Sequence, residues 1–507
     1  MLLVKWSAVY SILTTLPEPA WYQAPSSDAS QVQAQHKLHL HKGCDMFTSK
    51  IADFVSNTPA STIPEAAIVA AGHGIIDTLG CALAGSLEPV SKFAAAFIRE
   101  QGARGSVGIW GGDFSSSPAD AAFVNAISSH ALDFDDSHPS ARGHASASLV
   151  ATVIAAGEAT HATGRDVLAA YAIGIEVAGK LGRAYGFGLL GGGWHPTAGV
   201  GVLASTVAAA RLAGHDAEIL TRALGIAGSE ISGLVRNFGT MTKPYHTGHC
   251  ARMGITSSWL AGAGMTSDTS ILDGDGGVMH AYQANGEDTN SLGDQLGQGD
   301  WEIVSPGNFV KNWPCCYSNH RSIGAMYALI EEHDFSIDEI KKVTVSFLPG
   351  GDIALVSRSP KTGLEGKFSI EYVIAAMLLR DPLTLTTFTD PMVMRPEAQA
   401  LIPKVERIII PAEGKFSGMV GYNIVEVTTT RGTFTRRQDI TPGSPKDWPI
   451  GNDGRATKFI DCARLVLGND GAQSALACAN SLDGLADITE LSKTCVPISG
   501  HLRGNQK

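Results

Sequence analysis

Charge is scarce in this sequence, and positive charge is scarcer still. Asp, Glu, Lys and Arg make up 17% of the residues against 44% hydrophobic, which excludes a disordered chain and requires a large core. Lys and Arg number 38 against 49 Asp and Glu, a formal net charge of −11. A nucleic-acid partner would need basic patches that this balance does not offer. An anionic small molecule is not excluded, because a site can be locally basic on an acidic protein. Runs of about 18 apolar residues free of charge and glycine are missing, so no membrane segment is expected and a cytoplasmic location is. No G-x-x-x-x-G-K-[ST] loop and no strand-linked G-x-G-x-x-G occurs, so no nucleotide cofactor is expected. The eight cysteines are scattered, and none forms a C-x-x-C or zinc spacing. Buried free thiols in a reducing compartment follow, with neither a metal nor an iron–sulfur cluster.

What is present falls into three parts after a leader. Residues 1–45 carry only a short apolar stretch, a weak match to a secretory signal. The leader holds His36, His39, His41 and Cys44 in a polar tract, and reads as a flexible, dispensable tail. From Met46 to about 304 the pattern is helical, with apolar residues at three- and four-residue steps. Thr62 and Glu65 stand at capping-box spacing, and Ser117 followed by Pro118 marks another helix start. Further helices are expected at about 145–160, 165–184, 196–213, 216–235 and 247–263. Over 305–440 the β-branched runs "KKVTVSFL", "VERIIIPA" and "NIVEVTTTRGTFTRRQDI" indicate an α+β domain with a hairpin at Arg431-Gly432. Residues 441–507 return to helix and are expected to rejoin the first domain. The fold class is therefore mainly α: a large, discontinuous helical domain completed by the C-terminal helices, plus a smaller α+β lid domain. "DGDGG" at 273–277 lacks the remaining ligands of a calcium loop and reads as a turn.

Five stretches interrupt the apolar background with His, Lys, Asp or Tyr. They are "HALDFDDSHPSARGH" (130–144), "GGGWHPTAG" (191–199), "TKPYHTGHCARMG" (242–254), "KNWPCCYSNH" (311–320) and "LEGKFSIEYVIAAMLL" (364–379). Loops beside rigid helices are where binding and chemistry concentrate. Each stretch alone reads as well as ordinary core or surface. Asp135 and Asp136 are expected to cap the next element or pair with Arg142.

In order and content together, the five stretches resemble the MmgE/PrpD family, which includes 2-methylcitrate dehydratases and cis-aconitate decarboxylases. The resemblance runs from about Met46 to the C-terminal helices. It implies a homodimer with a helical domain and a lid, and a small di- or tricarboxylate substrate. It also implies the pocket residues Asp133, Ser137, His144, His195, Lys243, His246, Lys311 and Tyr372. The chain departs from relatives at Cys316, where some have histidine, and at Asp135, where 2-methylcitrate dehydratases have asparagine. Ser137 stands where threonine is common, and Ala145-Ser146 replace Pro-Ser.

Elimination or decarboxylation beside a carboxylate needs fixed cations and a group that exchanges protons near neutrality. Lys243 and Lys311 suit the first task, and His144, then His195, the second. Asp133 would orient a histidine, and Ser137, His246 and Tyr372 would contact substrate. The expected activity is a cofactor-independent lyase, with 2-methylcitrate-like dehydration slightly ahead. A cis-aconitate-like decarboxylase, a dicarboxylate epimerase and a non-catalytic carboxylate binder are the alternatives.

Overall fold

A computed structural model describes residues 46–497 apart from 415, 417 and 418. The leader, with its histidines and Cys44, lies outside the described residues. Helices of nine or more residues in the first part are α1 (Phe47–Asn57), α2 (Glu65–Gly85), α3 (Pro89–Glu100), α4 (Pro118–His130), α5 (Ala145–Thr160), α6 (Gly164–Tyr185), α7 (Pro196–Leu212), α8 (Ala217–Gly228) and α9 (Thr242–Gly262). Then come α10 (His320–His333), β1 (Ile340–Phe347), α11 (Ile370–Leu378), β2 (Val405–Ile409), β3 (Asn423–Thr429), β4 (Thr433–Gln438) and α12 (Gly451–Asn480). The molecule is mainly α with a minor α+β part.

Local chemistry sets most helix starts. Ser117 accepts from the Asp120 amide at the head of α4, Thr163 from Asp166 at α6, and Asp216 from Ile219 at α8. The capping box expected at α2 does not form. Pro64 occupies the cap, and the Thr62 hydroxyl instead donates to the Pro59 carbonyl at 2.8 Å, closing a 3₁₀ turn. The expected helix at 216–235 stops at Gly228 and gives way to a 3₁₀ turn at Val235–Asn237.

Helices α5 and α7 form the centre of the molecule. Every residue of α5 from Ala145 to Glu158 is buried, as is every residue of α7 from Pro196 to Ala210. Their Ala, Gly, Ser and Thr content lets neighbours approach closely. Helix α2 differs from expectation. By length and composition alone it could cross a membrane, yet 72% of its most apolar window is buried inside the protein, as in a core helix. The C-terminal helix α12 breaks at Gly468 (φ 70°), where a side chain would be strained. Its first half lies on α2 so closely that a Cβ on Gly80 would come within 3.1 Å of the Phe459 Cα. Phe459, Ala463 and Val466 thereby join the apolar cluster formed by the N-terminal helices.

A second apolar cluster runs from Phe238 to Val427 and includes α10, α11 and the sheet. The sheet order is β2-β1-β3-β4. β1 pairs parallel with β2 and antiparallel with β3, and β3 and β4 form the hairpin expected at Arg431-Gly432. Alternate residues of β3 are buried, the period expected of a sheet covered on one face. Among the described residues all seven cysteines are free.

Candidate active site

The site begins where α4 ends. Asp133, three residues past the end of α4, adopts a left-handed φ of 52°, uncommon for a residue with a side chain. This turns the chain inward, so Asp133, Asp135, Asp136 and Ser137 are all buried. Asp133 then meets two lysines distant in sequence. Its Oδ1 lies 2.7 Å from Lys243 Nζ and its Oδ2 3.0 Å from Lys311 Nζ. Lys243 sits in the first turn of α9, and Lys311 in the loop before α10. Burial pushes the Asp133 carboxyl upward, but the two ammonium groups outweigh it and hold the group far below the usual carboxylate range. Burial also acts against Lys311, and Asp133 and Asp135 raise its pKa above the ordinary value.

Two histidines flank this triad and share one carboxylate. Asp135 accepts from His130 Nδ1 at 2.9 Å and lies 3.1 Å from His144 Nδ1. His144 Nδ1 is also 2.8 Å from the Asp136 carbonyl, an obligate acceptor, so Nδ1 carries the proton and Nε2 of the neutral ring is left as a base. That Nε2 is 4.0 Å from Asp133 Oδ1. The same reasoning leaves His130 Nε2 as an acceptor, and Lys243 Nζ donates to it at 2.5 Å. Burial lowers His130 to about 3, with Lys243 adding to the effect. His144 is lowered by burial and by Lys311.

The remaining candidates fall on two sides. His195 caps α7, and its Nδ1 is 3.1 Å from that of His246, so one ring donates to the other. Burial and Lys243 lower His195 well below its ordinary value and bring His246 to about 4. The His195 ring lies 6.3 Å from that of His130, on the same side of the cluster. Ser137 Oγ is 3.3 Å from His144 Nδ1. A Cβ on Gly143 would meet Thr197 Oγ1 at 2.5 Å, and the same hydroxyl accepts the His144 amide, so glycine lets this loop seat against α7. Tyr372 stands apart. It lies in the second apolar cluster, and its hydroxyl donates to the Thr387 carbonyl at 2.6 Å.

Sequence reasoning missed His130 and misassigned Asp135. Asp135 caps no helix and does not pair with Arg142, whose guanidinium instead stacks on Phe187 and reaches the Gly182 carbonyl. The left-handed turn at Asp133 aims Asp135 at the two rings. His130, Asp135 and His144 bring potential ligand atoms within 4.8 Å of one another, close enough to hold a metal ion. Two N–H···O contacts to Asp135 already account for that closeness. Two surface depressions lie elsewhere. One of about 550 Å³ is lined by Lys341, Arg358 and Lys404, and one of about 440 Å³ by His161, Arg211 and His215. Neither touches the cluster, and size alone does not mark the chemistry.

Residues 49–289 match the MmgE/PrpD N-terminal domain, and residues 313–484 match the MmgE/PrpD C-terminal domain. The chain belongs to the MmgE/PrpD family. Cis-aconitate decarboxylase of Homo sapiens is 29% identical over 432 residues, 82% of this chain and 88% of the human protein. The Mus musculus cis-aconitate decarboxylase is 28% identical over 463 residues, covering 88% and 92%. That of Aspergillus terreus (strain NIH 2624 / FGSC A1156) is 25% identical over 474 residues, covering 88% and 94%. In this MmgE/PrpD chain Asp133, His144, His195 and Lys243 fall in the first matched region, and Lys311 lies just before the second.

Proposed function

We propose that this protein decarboxylates a small unsaturated tricarboxylate of the cis-aconitate kind. The chain is an enzyme of lyase type. The observation that carries the finer reading is the convergence of Lys243 and Lys311 on Asp133, beside the unprotonated Nε2 of His144. Each ammonium has three N–H bonds. Lys243 gives one to Asp133 and one to His130; Lys311 gives one to the Asp133 carbonyl and forms an ion pair with the Asp133 carboxylate at 3.0 Å. One N–H on each is left for a substrate carboxylate. The N-termini of α5 and α7, headed by His144 and His195, add partial positive charge on the same side.

In this scheme the bond between a methylene carbon and its carboxylate breaks and CO₂ leaves. The electron pair stays on carbon and spreads through the double bond toward a carboxylate held by lysine. His144 then delivers a proton from Nε2 to carbon, and solvent restores it. An arriving polyanion favours the imidazolium, so substrate binding itself loads the acid. The Asp136 carbonyl, with the Asp135 carboxylate beside it, keeps Nδ1 protonated throughout. His195 and His246 line the substrate side, Ser137 supports the Nδ1 side of His144, and Tyr372 has no role. The α+β part at about 305–440 acts as a lid, since Lys311 comes from it and most of the cluster is buried, with His144 partly exposed. A homodimer is the assembly.

The test is ¹H NMR of purified protein with cis-aconitate, 2-methylcitrate and citrate. The reading expects CO₂ and an unsaturated five-carbon dicarboxylate from cis-aconitate. Water loss from 2-methylcitrate without CO₂ release would replace it with a dehydratase. Epimerisation, or binding without turnover, would replace it with the corresponding alternative.

A further inference from the structure

Three buried lysines hold three consecutive backbone carbonyls of the site loop. Lys367 Nζ donates to the Leu132 carbonyl at 2.5 Å, Lys311 to that of Asp133 at 2.7 Å, and Lys458 to that of Phe134 at 2.7 Å. All three are at most 8% exposed, unusual for lysine. They come from separate segments: the loop before α10, the turn before α11, and the second turn of α12. None of the three carbonyls accepts a backbone N–H among the described residues. Lys458 also pairs with Asp77 of α2 at 2.7 Å and lies over the Phe134 ring.

The geometry has a specific consequence. The Leu132 carbonyl lies in the peptide plane that φ of Asp133 rotates, and the Asp133 carbonyl in the plane that its ψ rotates. The Phe134 carbonyl fixes the plane leading into Asp135. Pinning three successive planes therefore sets the left-handed turn at Asp133 and the directions of both carboxylates. Such a conformation persists only when its surroundings over-determine it. Charge-assisted hydrogen bonds from buried, immobile ammonium groups supply that constraint.

We infer that Lys367 and Lys458 are positioning residues for the reaction, acting through the backbone to hold Asp133 between Lys243 and Lys311. This rests on the cluster being the reaction site.

The test separates positioning from simple stability. Lys458→Met removes both the carbonyl contact and the Asp77 ion pair, so Tm and kcat should both fall. Lys458→Met/Asp77→Asn removes the stranded carboxylate, so Tm should recover while kcat stays low, on the order of 10²-fold below wild type, with KM nearly unchanged. Recovery of kcat together with Tm would reduce Lys458 to an ion-pair partner and overturn the inference for it. Lys367→Met breaks no ion pair among the described residues and should show the same kcat loss; wild-type kcat there would overturn it for Lys367. If the wild-type protein turns over none of the acids tried, the reaction proposal fails on its own. Crystal structures of the variants then decide this one: Asp133 should leave its left-handed turn, and an unmoved carboxylate between Lys243 and Lys311 would refute the inference.

Discussion

Replacing Lys243 or Lys311 by methionine tests the site most quantitatively. The two ammonium groups sit 2.7 and 3.0 Å from the two oxygens of one carboxylate, and both are almost fully buried. With either lysine gone, the other still neutralises Asp133, so the fold should hold. The substrate carboxylate loses its partner, which costs about 2–5 kcal/mol at a buried charged contact. At 1.36 kcal/mol per tenfold, kcat/KM should fall by roughly 30- to 5,000-fold. The structure adds a second expectation. Because Asp133 bridges both lysines, removing one misplaces it for the other, and the double variant should lie within about tenfold of the worse single one. The assay is steady-state turnover of the acid found active, with folding checked by thermal melt. Unchanged kinetics in either single variant, or losses that multiply fully in the double one, would refute a shared site.

Four further outcomes follow from individual residues. His144→Ala should lower kcat by roughly 10²–10⁴-fold, while His161→Ala, an exposed residue bonded to Asp487, should do almost nothing; equal effects would remove His144 as the acid. Since burial and Lys311 lower His144 below 6.5 and the reaction uses its protonated form, kcat/KM should keep rising as pH falls below 6.5; a loss of activity on the acid side there would point to a base. Burial raises Glu158 from 4.5 to about 7, so the folded state binds more protons between those values and stability falls as pH climbs through that window. Glu158→Gln should therefore gain about 1–3 kcal/mol over wild type at pH 8 and lose that advantage near pH 5, as read by urea melts; a constant difference would contradict the assignment. Phe459→Ala should cost about 3–5 kcal/mol, because its fully buried ring joins α12 to α2; a loss below about 1 kcal/mol would mean that contact is dispensable.

The helix starts legible in the sequence are those whose cap is local. Ser117 and Thr163 reach amides three residues on, so spacing alone reveals them. Thr62 had the same spacing, yet its hydroxyl found a nearer carbonyl first. The β-hairpin was legible because alternation and the Arg431-Gly432 turn agree. The membrane-length character of α2 was obscured by its glycines, which break a run on paper but not a buried helix. At the site, lysines and histidines beside Gly and Pro were legible as a set, through the family resemblance. His130 and Asp135 were not, because their roles depend on one left-handed residue that no periodicity announces. Lys458 was invisible for a related reason: a lysine in a helical pattern reads as solvated, and only the tertiary fold buries it, while Lys367 lay inside a stretch singled out in the sequence without its contact to the Leu132 carbonyl being legible.

In the proposed reaction, substrate carboxylates bind at Lys243 and Lys311 with the reacting carbon facing His144 Nε2. A crystal structure with propane-1,2,3-tricarboxylate, a saturated acid lacking the double bond, tests it directly. One carboxylate should lie on each lysine Nζ, with a carbon of the ligand within about 3–3.5 Å of His144 Nε2. Ligand in the depression beside Arg358 and Lys404, with the Asp133 cluster unoccupied, would contradict it.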